Sequence, residues 1–93
     1  MGFTKDSAAD MAKQDLAKRS GIPQADIKIQ KIADKDFPDA SLGAPVNGEM
    51  SAQMISSGWQ VVLEAGGTDY EYRADKYQVR LHNFKGQNYV VES

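Results

Sequence analysis

Small apolar residues recur at three- and four-residue spacing from Ser7 to Arg19. Ala8, Ala9, Ala12 and Leu16 make one stripe, with Met11 at its edge. That period predicts an α-helix with one apolar face. Ser7 is suited to cap its start, with Asp10 three residues on as a weaker form of the capping-box acid, and Thr4 offers a cap one turn earlier. Lys13, Lys18 and Arg19 lie toward the C-terminal end, where the helix dipole favours cations. Gly21 fits a left-handed stop, Ile22 can pack back on Leu16 or Ala17, and Pro23 blocks continuation. A stripe made mainly of alanine allows close approach, so the helix is expected to lie flat on a sheet.

Beyond Pro23 the period shortens to two. Ile27 and Ile29 alternate within a first strand, Ile27 to Ala33, but the next large apolar residue is Ile32. That slip of one position predicts a bulge or an early end. Met50 to Ser56 reads as a second strand with a turn at Ser57-Gly58, and Trp59, Val61, Leu63 and Ala65 alternate as a third. Gly66-Gly67 is a two-residue hairpin signal. Tyr70 and Tyr72 then share one face, with Asp69, Glu71 and Arg73 on the other. A turn at Asp75-Lys76 leads to Tyr77, Val79 and Leu81, opposite Arg80 and His82. Lys85-Gly86 marks another turn, and Tyr89 to Val91 closes the chain as an edge strand. One N-terminal helix followed by strands in series predicts an α+β fold, the helix packed on an antiparallel meander of about five strands. With no internal repeat and no linker composition, residues 1–93 are read as a single domain.

Between the predicted strands lies Phe37 to Met50, with Pro38, Pro45, Gly43, Gly48 and an Asn-Gly pair. Aperiodic stretches of this length are uncommon in compact domains unless they are functional or disordered. The prolines fix their own φ and hold Phe37 and Ala44 extended, which predicts a long ordered loop. Asp39 and Ser41 are expected to accept hydrogen bonds from loop amides, and Gly43 and Gly48 to take backbone conformations that a β-branched residue resists. Two readings stand side by side. As a plug, the loop folds Leu42, Val46 and Phe37 inward. As a presenting loop, it holds Leu42 or Met50 outward for a partner's pocket, with Asp39, Ser41, Leu42, Gly43, Pro45, Asn47, Gly48 and Met50 as the binding set.

Composition narrows the chemistry. The chain is 41% apolar and 26% charged, with a net charge of -2 and no cysteine. These values suit a globular domain and exclude a disulfide framework, a thiol nucleophile and a cysteine zinc site. Tyr70, Tyr72, Tyr77, Tyr89 and Trp59 suggest a stacking surface, but Asp69 and Glu71 interleave with them and the cations are scattered. Nucleic acid is therefore not an expected partner, and the rings are expected in the core. No apolar run approaches the roughly 20 residues that span a bilayer. His82 is the only histidine, without a nucleophile or carboxylate at useful spacing in its own strand. Asp34, Asp36 and Asp39 lack the glycine and glutamate positions of a calcium loop. Ser41 lacks the Gly-x-Ser-x-Gly setting of a hydrolase nucleophile. The expected function is a non-catalytic binding module with another protein as partner and no cofactor, a secreted-peptidase inhibitor or a cell-envelope adaptor being its sharper forms. The alternative is a small hydrolase or metal-dependent enzyme using Asp39, Ser41 and His82.

Several residues carry a resemblance. Asp39-Ala40-Ser41-Leu42-Gly43 is followed by Pro45, Gly48, Gln53, Gly58-Trp59 and Tyr70-Glu71-Tyr72, and is preceded by the segment Ala12 to Pro23. Together they resemble a family of small bacterial and archaeal domains of uncharacterised function, whose signature reads D-A-S-L-G-C-P-x-P-G with a later Y-E-Y-H. The helix-then-meander order is also similar to PepSY-type domains. Members of the first family are often exported proteins or lipoproteins, which implies an extracytoplasmic protein whose leader is not part of this sequence, with a cytosolic location as the other option. Ala44 stands where that family has cysteine, Val46-Asn47 replaces its second proline region, and Arg73 replaces its histidine. Chemistry that needs either side chain is not open to this chain. The resemblance thus implies structure or binding.

Overall fold

The computed structural model describes residues 2–93. The helix α1 (Lys5–Ser20) starts earlier than a Ser7 cap predicts. Thr4 is the N-cap: its hydroxyl accepts the Ser7 amide at 3.1 Å, while the Ser7 hydroxyl accepts the Thr4 amide at 2.8 Å. Two otherwise orphaned amides are satisfied reciprocally, with Ser7 as the third helical residue rather than the cap. At the other end Gly21 takes a left-handed φ of 75° and donates its N–H to the Ala17 carbonyl. A short 3-10 turn (Gln24–Asp26) then leads into the sheet.

The strands are β1 (Lys28–Phe37), β2 (Ser56–Ala65), β3 (Thr68–Ala74), β4 (Val79–Phe84) and β5 (Gln87–Glu92). Each pairs antiparallel with the next, so the sheet order is the chain order. The fold is α+β, a helix preceding a five-stranded meander. Register explains the core: Val61 lies opposite Tyr72, and Tyr72 opposite Leu81. With Leu63, Ala74 and Val79 they meet Ala8, Ala9, Ala12 and Leu16 of the helix, all buried. The alanine stripe lets the helix lie close, and the large side chains come from the sheet.

A polar chain fastens the helix over this core. The Tyr72 hydroxyl donates to Asp15 Oδ2 at 2.8 Å, and Arg19 Nε donates to the same oxygen at 2.6 Å. The Arg19 guanidinium then stacks 4.4 Å from the Tyr89 ring centroid. Burial, and next the Asp15 carboxylate, push the Tyr72 pKa up, so the hydroxyl stays a donor.

The Ile29-to-Ile32 slip is a β-bulge: register shifts between Ile29 and Lys31, and Ile32 returns opposite Val61. The strand then continues past Ala33 to Phe37, because an edge strand can carry Asp34, Lys35 and Asp36 toward solvent. Three expectations fail. Met50 to Ser56 is not a strand, since irregular chain runs to residue 55 and β2 begins at Ser56. Ser57-Gly58 is not a turn: Gly58 sits inside β2, buried, where a Cβ would lie 2.1 Å from the Ala74 carbonyl oxygen. Tyr77 belongs to the β3–β4 turn and is 69% exposed, and Trp59 is only partly buried at the rim of the core. The Gly66-Gly67 hairpin is as expected, with φ values of 60° and 80° that suit a type I′ turn.

Candidate functional site: a clasped segment and an apolar depression

The sheet face away from the helix carries Gln60, Glu71, Arg73, Arg80 and His82. Strand alternation places them there, and register stacks Arg73 against both Gln60 and Arg80. Two adjacent guanidiniums on a half-covered face need acceptors. Residues 38–55 supply them by folding back across this surface.

The sheet grips the segment by its backbone. Arg73 Nη1 donates to the Leu42 and Gly43 carbonyls at 3.0 and 3.1 Å, and Arg80 Nη1 to the Ala44 carbonyl at 3.1 Å. Gln78 Nε2 donates to the Ala40 carbonyl at 2.7 Å, and Asn88 Nδ2 to the Pro45 carbonyl at 2.8 Å. From within, Asp39 Oδ1 accepts the Ser41 amide, the Ser41 hydroxyl and the Gly43 amide at 3.0, 2.6 and 3.1 Å. Leu42 and Gly43 are both left-handed, with φ of 59° and 65°. That conformation costs a non-glycine residue about 1–2 kcal/mol. The Leu42 side chain is fully buried here, as are Phe37, Ser41 and Ala44.

Glu49 closes the far end. Its carboxylate takes both terminal nitrogens of Arg80, with Nη1 to Oε1 at 2.6 Å, and its Oε1 also accepts the Val46 amide at 3.2 Å. The Glu49 amide donates to the Val46 carbonyl at 3.1 Å, which makes Asn47-Gly48 a tight turn with Gly48 at φ 81°. Arg80 is only 5% exposed and its Nε is held by Gln78 Oε1, so every part of the guanidinium is engaged.

The expected binding set therefore divides in two. Asp39, Ser41, Leu42 and Gly43 are the fastened inner part, and the outward reading of Leu42 is corrected by its complete burial. The Ser41 hydroxyl donates to Asp39, and it is the Ser41 carbonyl that accepts a loop amide, that of Ala44 at 3.0 Å. Pro45, Asn47 and Gly48 form an exposed tip, and Met50 is 98% exposed. Pro45 and Asn47 also wall a groove of about 650 Å³ that runs to Asn88 and Val90 of β5.

Asp39, Ser41 and His82 do not converge on shared chemistry. The Ser41 hydroxyl is buried and committed to Asp39, out of reach of a substrate. His82 instead faces Glu71 across the β3–β4 ladder, its Nδ1 3.7 Å from Oε1. Asp34 pairs with Lys5 and Asp36 accepts from Ser57, so the aspartates are distributed along β1. Among the described residues, no group of three or more His, Cys, Asp or Glu side chains is placed to hold a metal ion.

The structure adds a feature that the sequence reading missed. The Ala52 carbonyl accepts the Ala40 and Met54 amides, which bends the returning limb of the segment. Met54 and Ile55 are left 59% and 73% exposed. Asp75 Oδ1 accepts the Tyr77 and Gln78 amides and fixes Tyr77 opposite them. Met54, Ile55, Trp59 and Tyr77 line an open depression of about 540 Å³ at this end of the sheet. The sequence signal was present in Met54-Ile55, but the alternation template assigned that pair to a strand.

Charge couples the clasp to pH. Hydrogen bonds from Ser41 and then Gly43 hold Asp39 below its ordinary 3.8, and Arg80 holds Glu49 below 4.5. Burial pushes Glu71 up, but hydrogen bonds from Arg73 and Gln60 outweigh it and the net shift is downward. Burial, and next the Arg73 charge, lower His82 below 6.5 against the opposing pull of Glu71. Depressed carboxylates contribute stability that is present above their unfolded pKa values and lost as pH falls through the folded ones. A depressed histidine has the same sign: protonation is easier in the unfolded chain, so acidification below 6.5 costs stability. Urea unfolding should show a mild decline starting below pH 6.5 and a steeper one below about pH 4, with Glu49→Gln flattening the acid limb. Stability that holds or rises as pH falls through the carboxylate range below about pH 4 would contradict the clasp.

The family described as Domain of unknown function (DUF8738) matches the chain over residues 9–83, a span from the helix through all of the clasp except Asn88. No curated protein and no solved structure matches it.

Proposed function

The chain belongs to the family of domains of unknown function DUF8738, and from that premise and the clasped segment we propose that it is a non-catalytic protein-interaction module. The observation that carries this reading is the contrast within residues 38–55. The first half is fastened by its carbonyls to Arg73, Arg80, Gln78 and Asn88, whereas Met50, Met54 and Ile55 of the second half stand in solvent. Apolar side chains on a pre-ordered backbone lower the ordering cost of association. A cluster of Met, Ile, Trp and Tyr around a depression is the composition of an interface core. Its concave shape suits reception of a partner's apolar side chain better than insertion into a peptidase cleft. The adaptor form is therefore favoured over the inhibitor.

Met54→Asp with Ile55→Asp tests this. Both residues are exposed, so each change should alter stability by no more than about 0.5 kcal/mol. A photo-crosslinking residue at position 77 should capture a defined partner from cells of the natural source, and the double substitution should abolish that capture. The reading fails if the same group placed at Gln24, exposed elsewhere, captures the same proteins.

A further inference from the structure

The turn at the far end of the clasp is closed into a ring by two hydrogen bonds. The Glu49 amide donates to the Val46 carbonyl at 3.1 Å, and Glu49 Oε1 accepts the Val46 amide at 3.2 Å. Both bonds lie at the ends of the turn. Between them, neither the Gly48 N–H nor the Asn47 carboxamide makes a hydrogen bond among the described residues. The peptide joining these two residues can therefore rotate while the ends stay pinned, since it takes no part in the closing bond of a β-turn. Asn47 and Gly48 are both exposed, and a Cβ at Gly48 would meet nothing within 4 Å among the described residues. The other two asparagines are placed differently. Asn88 is held at both ends, its Oδ1 accepting the Asn83 amide and its Nδ2 donating to the Pro45 carbonyl. Asn83 and Asn88 lie in β4 and β5 and are followed by the bulky Phe84 and Tyr89.

From this placement we propose that Asn47 is a site of spontaneous deamidation, and that its isomerisation opens the Glu49 end of the clasp. Asparagine is among the thermolabile side chains, and glycine has no side chain to block the approach of its nitrogen. Hydroxide removes the Gly48 amide proton, and the nitrogen attacks Asn47 Cγ. The new N–Cγ bond forms as the bond from Cγ to the side-chain nitrogen breaks, and ammonia leaves with a proton from water, which restores the hydroxide. Water then opens the cyclic imide. Opening at Cγ gives aspartate; opening at the main-chain carbonyl gives isoaspartate, in which the chain runs through the side-chain carbon. The sum converts a carboxamide and a water into a carboxylate and an ammonium ion. Isoaspartate adds a main-chain carbon between Val46 and Glu49, so the two closing bonds no longer fit. Its carboxylate stands in the same turn as Glu49, and Arg80 is already committed to Glu49, Gln78 and the Ala44 carbonyl. It also brings a charge to the groove beside β5, whose lining residues carry none. The bonds from Arg73 to Leu42 and Gly43 lie outside the ring and hold. The clasp thus ages from its far end, whatever occupies the apolar depression.

The test holds the folded 93-residue chain in mildly alkaline buffer and maps it by mass spectrometry, with an isoaspartyl methyltransferase as second reporter. The unmodified peptide containing residue 47 should be lost first, as aspartyl and isoaspartyl forms, while those containing Asn83 and Asn88 stay intact. The same chain in urea is the reference for an unrestrained Asn-Gly pair, and the folded protein should convert at a comparable rate. Purified isoaspartyl protein should exchange faster at the Val46 and Glu49 amides. The Ser41 and Gly43 amides, held by Asp39, should exchange as in the parent. Asn47→Gln, whose longer side chain closes an imide poorly, should keep its exchange pattern through the same incubation. The proposal is overturned if the folded chain is protected far below the urea reference, or if Asn83 or Asn88 converts as fast as Asn47. It fails equally if the isoaspartyl protein keeps the parent's exchange at Val46 and Glu49, or if incubated Asn47→Gln loosens there too.

Discussion

Gly58→Ala is expected to break the sheet open at the end where β2 enters it. The position lies inside β2, with Lys35 of β1 on one side, and an added methyl carbon would lie 2.1 Å from the Ala74 carbonyl oxygen and 3.0 Å from the Asp75 Cβ. The obstacle is backbone on a neighbouring strand, not the end of a flexible side chain, so no rotamer change relieves it. Either β2 and β3 separate, or the strand shifts and carries Trp59 and Val61 out of register. Overpacking typically costs about 1–3 kcal/mol, and a main-chain collision belongs at or beyond the top of that range. For a domain of this size, 3 kcal/mol lowers the melting temperature by roughly 12–24 °C. A calorimetric shift of only a degree or two would show that β2 and β3 are not held this closely.

Arg80→Met should release the clasp while leaving the helix and its core in place. The guanidinium is 5% exposed and holds the Ala44 carbonyl, Gln78 and both oxygens of Glu49. Methionine keeps much of the packed length and removes every donor. Breaking a buried pair by deleting one partner costs about 3–5 kcal/mol. The Glu49 side chain is 24% exposed and can rehydrate, so the lower end of that range, about 3 kcal/mol, is expected. Amide exchange should accelerate across residues 42–49 much more than in α1. A double-mutant cycle with Glu49→Gln should return a substantial coupling energy, since the two groups are in direct contact. Equal acceleration in helix and segment would mean that Arg80 supports the whole fold and not the clasp.

Where the sequence was legible, the reason was locality. The alanine stripe, the Gly21 stop and the Gly66-Gly67 hairpin are each decided by neighbours within a few residues. The bulge announced itself as the one-residue slip from Ile29 to Ile32. The clasp was illegible because its two sides are far apart in the chain: Arg73 reaches Gly43 across 30 residues, and Arg80 reaches Ala44 across 36. A turn centred on Asp75-Lys76 also hid the pairing of Arg73 with Arg80, because the true turn is longer and takes in Tyr77 and Gln78. Gly58 misled for a related reason. Glycine marks a tight turn and a close strand approach with the same letter, and only the neighbouring strand separates them. His82 was matched against its own strand, whereas its carboxylate partner Glu71 lies on the next one.

The sheet grips the segment by the carbonyls of Ala40, Leu42, Gly43, Ala44 and Pro45, groups that every residue type possesses. A clamp that holds main chain is indifferent to the lettering of the side chains it leaves outside. Asn47, Met50, Gln53 and Met54 can thus be rewritten without loosening what presents them. The fastened stretch is in effect a frame with a replaceable legend. Foreign sequences grafted at those positions should leave amide exchange across residues 40–45 unchanged, because none of the bonds that hold that stretch passes through the side chains being exchanged.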